Sequence, residues 1–291
     1  MTSNNWKQTI VLAFLVCSAA ASTTALKAQD DGTTSPPKVL YIVREMVKPG
    51  KGAAHEKSEA AFVSALAAAK APTHYLAAES LSGPDRALFM NGFSSFADME
   101  EQHKAMGKIP GLNATLDRLN TIDGELLTET GESAWTRRDE MSLNSSYPPK
   151  THLLEISVYE IKPGHEKEWD ETVKLVKAGY QKGVPSSVWT IYEEAYGPYM
   201  NGFLVIVPIG SMSDVDKFFT QDKDFVAAMG TDGMKKLAEL EASCVQSVQT
   251  NLFVVAPKMS APPDAWVKAE PDFWKPKAPA PVKKADAKPA Q

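Results

Sequence analysis

The chain repeats itself, and any fold must accommodate that. Met90-Asn91-Gly92-Phe93 returns as Met200-Asn201-Gly202-Phe203. Matching landmarks flank each copy: Lys48-Pro49-Gly50 and Lys162-Pro163-Gly164, His55-Glu56-Lys57 and His165-Glu166-Lys167, Gly83-Pro84 and Gly197-Pro198, Met141-Ser142 and Met259-Ser260. Partners lie 114 residues apart for Lys-Pro-Gly and Gly-Pro, 110 for His-Glu-Lys and Asn-Gly, and 118 for the last pair. Order is kept while short insertions accumulate. A unit of about a hundred residues is one small domain, so two fused domains are expected.

The first residues read as an export signal: Lys7 as a positive n-region, an apolar run from Thr9 to Val16, then small residues to Thr24. The run is too short for a permanent span of about 20 residues, and no later stretch approaches that length. Export places the mature protein in the periplasm or outside the cell. Cys17 leaves with the signal, so Cys244 is the single remaining cysteine and no internal disulfide is expected. The net charge of −5, made more negative by loss of Lys7 and Lys27, argues against a nucleic-acid surface. The expected divisions are 1–28 signal, 29–38 flexible leader, 39–144 first repeat, 145–151 linker, 152–260 second repeat, 261–275 C-terminal arm and 276–291 disordered Lys/Pro/Ala tail.

Each repeat reads as strand, helix, strand, strand, helix, strand. Val39 to Arg44 is rich in β-branched and aromatic residues. Phe62, Ala65, Leu66 and Ala69 fall at helical spacing, and Pro72 stops that helix. Thr73 to Leu81 and Ala87 to Phe93 form a hairpin. Phe96, Met99, His103 and Met106 share one helix face, and Leu112, Leu116, Leu119 and Ile122 another. A strand around Ser133 to Asp139 closes the unit. In the second copy the strands are His152 to Ile161, Ser187 to Glu194, Tyr199 to Val207 and Asn251 to Val255. Its first helix carries Trp169, Val173, Val176 and Tyr180 on one side, and its second runs through Met234, Leu237, Glu241, Cys244 and Val248.

A βαββαβ unit leaves one sheet face bare, and a second copy can cover it. The pattern from Val39 to Val255 resembles the ferredoxin-like dimeric α/β-barrel superfamily. The corner Lys162-Pro163-Gly164-His165-Glu166-Lys167-Glu168-Trp169 resembles its antibiotic-biosynthesis-monooxygenase-like and NIPSNAP-like branches. That implies an α+β fold: two tandem ferredoxin-like units packed sheet to sheet as an intramolecular α/β-barrel pseudo-dimer. The superfamily includes cofactor-free oxygenases, haem enzymes, isomerases and binding proteins, so the fold alone selects no activity.

Strand alternation sorts the candidate residues. Leu40, Ile42, Leu154 and Ile156, apolar in both copies, are expected beneath the helices. Tyr41, Val43, Glu45, Glu155, Ser157 and Tyr159 are then expected to face the barrel interior. Tyr75 aligns with Trp189, Glu79 with Glu193, and Asn91 with Asn201. Such a lining suits a small aromatic or polar ligand, with a buried glutamate as base. The competing expectation puts the glutamates at strand ends in water and the aromatics in the core. His103 is the one histidine placed to ligate haem iron; His55 and His165 are expected to face solvent.

The sequence has no His-x-x-x-His pair, Cys pair or dense Asp cluster, so no dedicated metal site is expected. Phosphate-cradling glycine loops and the hydrolase elbow are absent. The expected function is binding of a small organic molecule without a resident cofactor. Alternatives are a cofactor-independent monooxygenase or isomerase, a non-catalytic scaffold using Trp266, Phe273 and Trp274 as an arm, and a haem enzyme through His103. A homo-oligomer is compatible with all of them.

Overall fold

The computed structural model describes residues 35–147, 150–199 and 201–275. The signal, the start of the leader, Pro148-Pro149 of the linker, Met200 and the 276–291 tail lie outside the described residues. The first half comprises β1 (Val39–Val47), α1 (Gly52–Ala68), β2 (Tyr75–Ser80), β3 (Arg86–Phe93), α2 (Phe96–Gly107), α3 (Leu112–Gly124) and β4 (Leu127–Arg137). The second comprises β5 (Leu153–Ile161), α4 (Glu166–Gly183), β6 (Thr190–Tyr196), β7 (Gly202–Ile209), α5 (Met212–Cys244) and β8 (Val245–Val255). A 3-10 turn at Pro257–Met259 and helices α6 (Asp264–Ala269) and α7 (Pro271–Trp274) follow.

Eight antiparallel strands close into one barrel in the order β1-β3-β2-β8-β5-β7-β6-β4. The halves contribute β4-β1-β3-β2 and β8-β5-β7-β6, the same order twice. Two seams join them: β2 to β8 through Ala78, Glu79 and Ser80, and β4 to β6 through Ala134 to Arg137.

The repeated Lys-Pro-Gly corner has a physical role in each half. Gly50 and Gly164 take φ of 76° and 85°, the left-handed region open to glycine without strain. Lys48 Nζ donates to the Glu125 carbonyl at 2.8 Å and Lys162 Nζ to the Ala242 carbonyl at 2.8 Å. Each lysine thereby satisfies a carbonyl at the C-terminal end of the helix preceding the closing strand.

Register separates true counterparts from chance matches. Leu40 faces Gly92, while Leu154 faces Pro208; Gly92 therefore corresponds to Pro208, and the two Met-Asn-Gly-Phe segments sit at opposite ends of equivalent strands. His55 N–H donates to the Lys51 carbonyl and Trp169 N–H to the His165 carbonyl. The structural partner of His55 is thus Trp169, not His165. The Lys-Pro-Gly corners, spaced by 114, and the Met-Ser pairs, spaced by 118, take equivalent places, and those spaced by 110 do not.

The faces are inverted from the expectation. Leu40, Ile42, Leu154 and Ile156 pack inside the barrel with Leu88, Met90, Trp135, Tyr192, Leu204 and Phe253. Tyr159 and Trp189 lie outside it, under α4 and α5 with Trp169, Val173, Val176 and Tyr180. A small closed barrel is filled by its own side chains, so conserved apolarity across the copies marks its interior as readily as its helix-covered wall.

Element boundaries shift as well. β4 begins at Leu127 instead of Ser133. α5 ends at Cys244, so Val248 belongs to β8; a positive φ of 66° at Gly230 kinks that helix. The leader is pinned at its end: Pro36 is buried, Tyr192 Oη donates to the Pro37 carbonyl at 3.2 Å, and a Cβ on Gly92 would lie 2.8 Å from the Pro37 ring.

The C-terminal arm folds back over one barrel mouth. Trp266 and Trp274, both 6% exposed, join the interior cluster with their rings 5.8 Å apart. His152 stacks on Phe273 at 4.3 Å and meets Glu270 Oε2 at 2.9 Å.

Candidate functional site

Two cavities occupy the barrel. Beneath the arm lies an apolar space of 250 Å³ against Leu40, Leu76, Met90, Leu154, Ile206 and Trp266. At the other end a space of 590 Å³ is walled by Ile42, Leu88, Trp135, Ile156, Leu204 and Phe253 and carries Arg44, Arg86, Gln249 and Asn251. The larger one combines an apolar wall with a few converging polar groups, the usual make-up of a small-molecule site.

Its charges are unevenly compensated. Arg44 Nη2 reaches Glu129 Oε1 at 2.5 Å. Arg86 Nη2 donates to the amide oxygen of Asn251 at 2.5 Å, and its guanidinium lies 5.1 Å from the centre of the Phe253 ring. Among the described residues Arg86 is in no ion pair. Burial, then repulsion by Arg44, lowers its pKa. An arginine aimed into a half-enclosed apolar space, short of a carboxylate, is suited to an anionic ligand group. At the mouth, Tyr199 N–H donates to Glu194 Oε2 at 2.9 Å, and burial pushes the Glu194 carboxyl up to about 7.

The residues singled out from sequence are dispersed. Tyr41 Oη donates to Glu132, and Glu193 pairs with Arg138 on the barrel exterior. Glu155 and Tyr159 are buried on the helix-covered side of β5, and Trp189 Nε1 donates to the Met141 carbonyl at 3.0 Å. Asn201 holds Glu166 at the start of α4 at 3.0 Å, and Asn91 is half-buried on β3 beside Tyr41 and Tyr75. Of the eleven, Tyr75 alone lines a barrel cavity, the smaller one. Arg44 and Arg86 were missed because parity had assigned their face to the helices.

His103 is exposed on α2, a helix with no buried residue, its ring 6.3 Å from Phe93. The groove beside it, formed by Phe96, Met99, Glu100 and Lys104, lies open on the surface. These residues do not fit an axial haem site.

A second polar group formed without notice from the sequence. Glu45 on β1 turns outward and meets His55, which is fully buried on α1 instead of facing solvent; Nε2 to Oε2 is 2.8 Å. Glu59, one turn further along α1, and Asp123, in the last turn of α3, complete the set. Burial, then the charges of Glu45 and Asp123, push the Glu59 carboxyl up to about 9. For His55 burial opposes protonation, but Glu45, Asp123 and Glu79 outweigh it and raise the pKa. Tyr75, near Glu59 and Glu45, and Glu79 stand at the edge of this group. Its four members are 10, 4 and 64 residues apart in sequence, a spacing no short ligand motif contains.

Together these features define an α+β protein on a closed eight-stranded antiparallel barrel with a polar lumen at one end. No family model matches the chain, and no curated protein matches it. Solved structures with similarity include an anthrone oxidase-like protein, 12% identical, covering 77% of this chain and 94% of its own at a TM-score of 0.48. Another is a mutant chlorite dismutase from Candidatus Nitrospira defluvii, 11% identical, covering 81% and 97% at a TM-score of 0.45. No helix among the described residues is long and apolar enough to cross a membrane.

Proposed function

We propose that the protein is exported and binds a small organic anion, a carboxylate with an apolar or aromatic body, in the larger barrel cavity. The observation that carries this is Arg86: a lumen guanidinium with an amide oxygen and an aromatic face for company and, among the described residues, no ion-pair partner, in a cavity that Glu129 and Glu132 also line. Trp135, Phe253, Ile156 and Leu204 supply the apolar wall, and Arg44 adds positive potential despite its pairing with Glu129. The charged leader, apolar run and small residues at the N-terminus support export. The repeated strand order supports reading each half as a ferredoxin-like unit of the dimeric α/β-barrel superfamily.

Titration of the full chain with benzoate, phenylacetate and hexanoate, followed through tryptophan fluorescence, tests the reading. Saturable binding of at least one carboxylate, absent for the matching amide, is the expected result. Equal response to acid and amide, or none to any member of the set, overturns it.

A further inference from the structure

We infer that Glu45, His55, Glu59 and Asp123 bind a first-row divalent cation of the Mn²⁺ and Zn²⁺ class, wedged between the barrel wall and helices α1 and α3. One ligand atom from each lies within 4.8 Å of those of the other three, a little wider than the roughly 4.4 Å that two donors about 2.2 Å from one ion can span, so the side chains draw inward to bind it. His55 Nε2 stands 2.8 Å from Glu45 Oε2 and 3.9 Å from Asp123 Oδ2. His55 and Glu59 sit four residues apart on α1 and so share one face.

Two independent observations point to a ligand. Asp123 is 3% exposed, yet its Oδ1 has no hydrogen-bond partner of good geometry among the described residues, the neighbouring Ser58 hydroxyl included. Buried polar atoms nearly always find partners. The second observation comes from the other half of the barrel. At the corresponding places, 114 residues on, stand Tyr159, Trp169 and Val173, all in the apolar core, with the Tyr159 and Trp169 rings 5.1 Å apart. The fourth place, that of Asp123, is held by Glu241, itself buried, so the other half keeps one carboxylate at this corner and the fold does not require the other three polar groups.

Three carboxylates and one imidazole form a mixed oxygen and nitrogen set, which suits Mn²⁺, Fe²⁺ or Zn²⁺ better than the all-oxygen preference of Mg²⁺ or Ca²⁺. A dication also offsets the repulsion of carboxylates gathered away from water. Four protein ligands make a closed, structural kind of site, with the Glu45 side chain, 15% exposed, as the point of entry. The ion ties β1, α1 and α3 together and takes no part in bond making.

The test uses the full chain stripped with chelator, then loaded separately with MnCl₂ and ZnCl₂ and desalted before elemental analysis, while thermal melting is run with the metal kept in solution. One ion per chain is expected for at least one metal, with a melting midpoint raised by about 5 °C at a hundredfold excess over Kd. Glu59→Gln and Asp123→Asn keep shape and are expected to weaken retention by at least about tenfold. A stripped chain that retains neither metal overturns the site, as do two variants that retain metal like the parent. Should the variants unfold, anomalous diffraction from Zn²⁺-soaked crystals of the parent decides the matter. A peak among the four side chains upholds the site, and its absence there overturns it.

Discussion

Replacing Arg86 with methionine separates a binding role from a structural one, because the two predict opposite signs. In the free protein the guanidinium is half-buried, lies beside Arg44 of the neighbouring strand and has one amide acceptor, the Asn251 oxygen at 2.5 Å. Methionine keeps most of the stem and relieves the repulsion. The cost to the fold is one hydrogen bond at Asn251, about 1 kcal/mol, set against removal of a poorly compensated charge. The melting temperature is therefore expected to stay level or rise. Ligand affinity should move the other way: a hydrogen bond to a charged group contributes about 1.5–3 kcal/mol net, so an anion held by Arg86 should bind roughly 10- to 150-fold more weakly in the variant. Arg86→Lys, which keeps charge but loses the planar fork, should fall between. Calorimetric titration with the best carboxylate, beside thermal melting of both variants, reads both quantities. Unchanged affinity in Arg86→Met refutes anion recognition at this residue. A fall in stability comparable to the loss in binding energy would show that Arg86 serves the fold.

Three other outcomes follow from the geometry. Gly183→Ala on α4 puts a methyl 2.5 Å from the Asp224 carbonyl oxygen and 2.9 Å from Ala228 Cβ, so α4 and α5 must part and stability should fall by about 1–3 kcal/mol in denaturant melts. Trp274→Ala uncaps the arm and should cost about 3–5 kcal/mol, with faster proteolysis after residue 260; a neutral effect would mean the arm does not seal the mouth. The folded Glu194 pKa of about 7 lies above the ordinary 4.5, so its favourable contribution is full below pH about 4.5 and lost as pH rises through about 7. Melting temperatures of Glu194→Gln between those limits should decline less with pH than those of the parent, and parallel curves would remove Glu194 as the cause.

The repeated architecture was legible because its local devices are chemical: Lys48 and Lys162 cap helix ends, and Gly50 and Gly164 turn left-handed corners. The heptad-like burial of Trp169, Val173, Val176 and Tyr180 was equally plain, since only one face of α4 meets apolar neighbours. What failed was parity. β5 is buried on both faces, so alternation carries no label for inside and outside, and Tyr159 and Leu154 were assigned to the wrong sides. On α3, Ile122 was expected to pack but is 51% exposed, while Asp123 beside it is buried; a polar group in a buried place contradicts the hydrophobic pattern that sequence reading relies on. The His-Glu-Lys and Met-Asn-Gly-Phe matches misled because identity of short strings is blind to strand register, which hydrogen bonding alone sets.

A barrel assembled from two copies of one polypeptide must wear the same side chains on both walls. Here the halves are encoded separately yet closed by two shared seams, so each wall is free to change while the other holds the enclosure. One corner became Tyr159 and Trp169, an aromatic plug; its counterpart became Glu45 and His55, a nest of charge. Covalent fusion thus converts a symmetric container into one with a working wall and a supporting wall, and substitutions that would be fatal in duplicate can be tried singly.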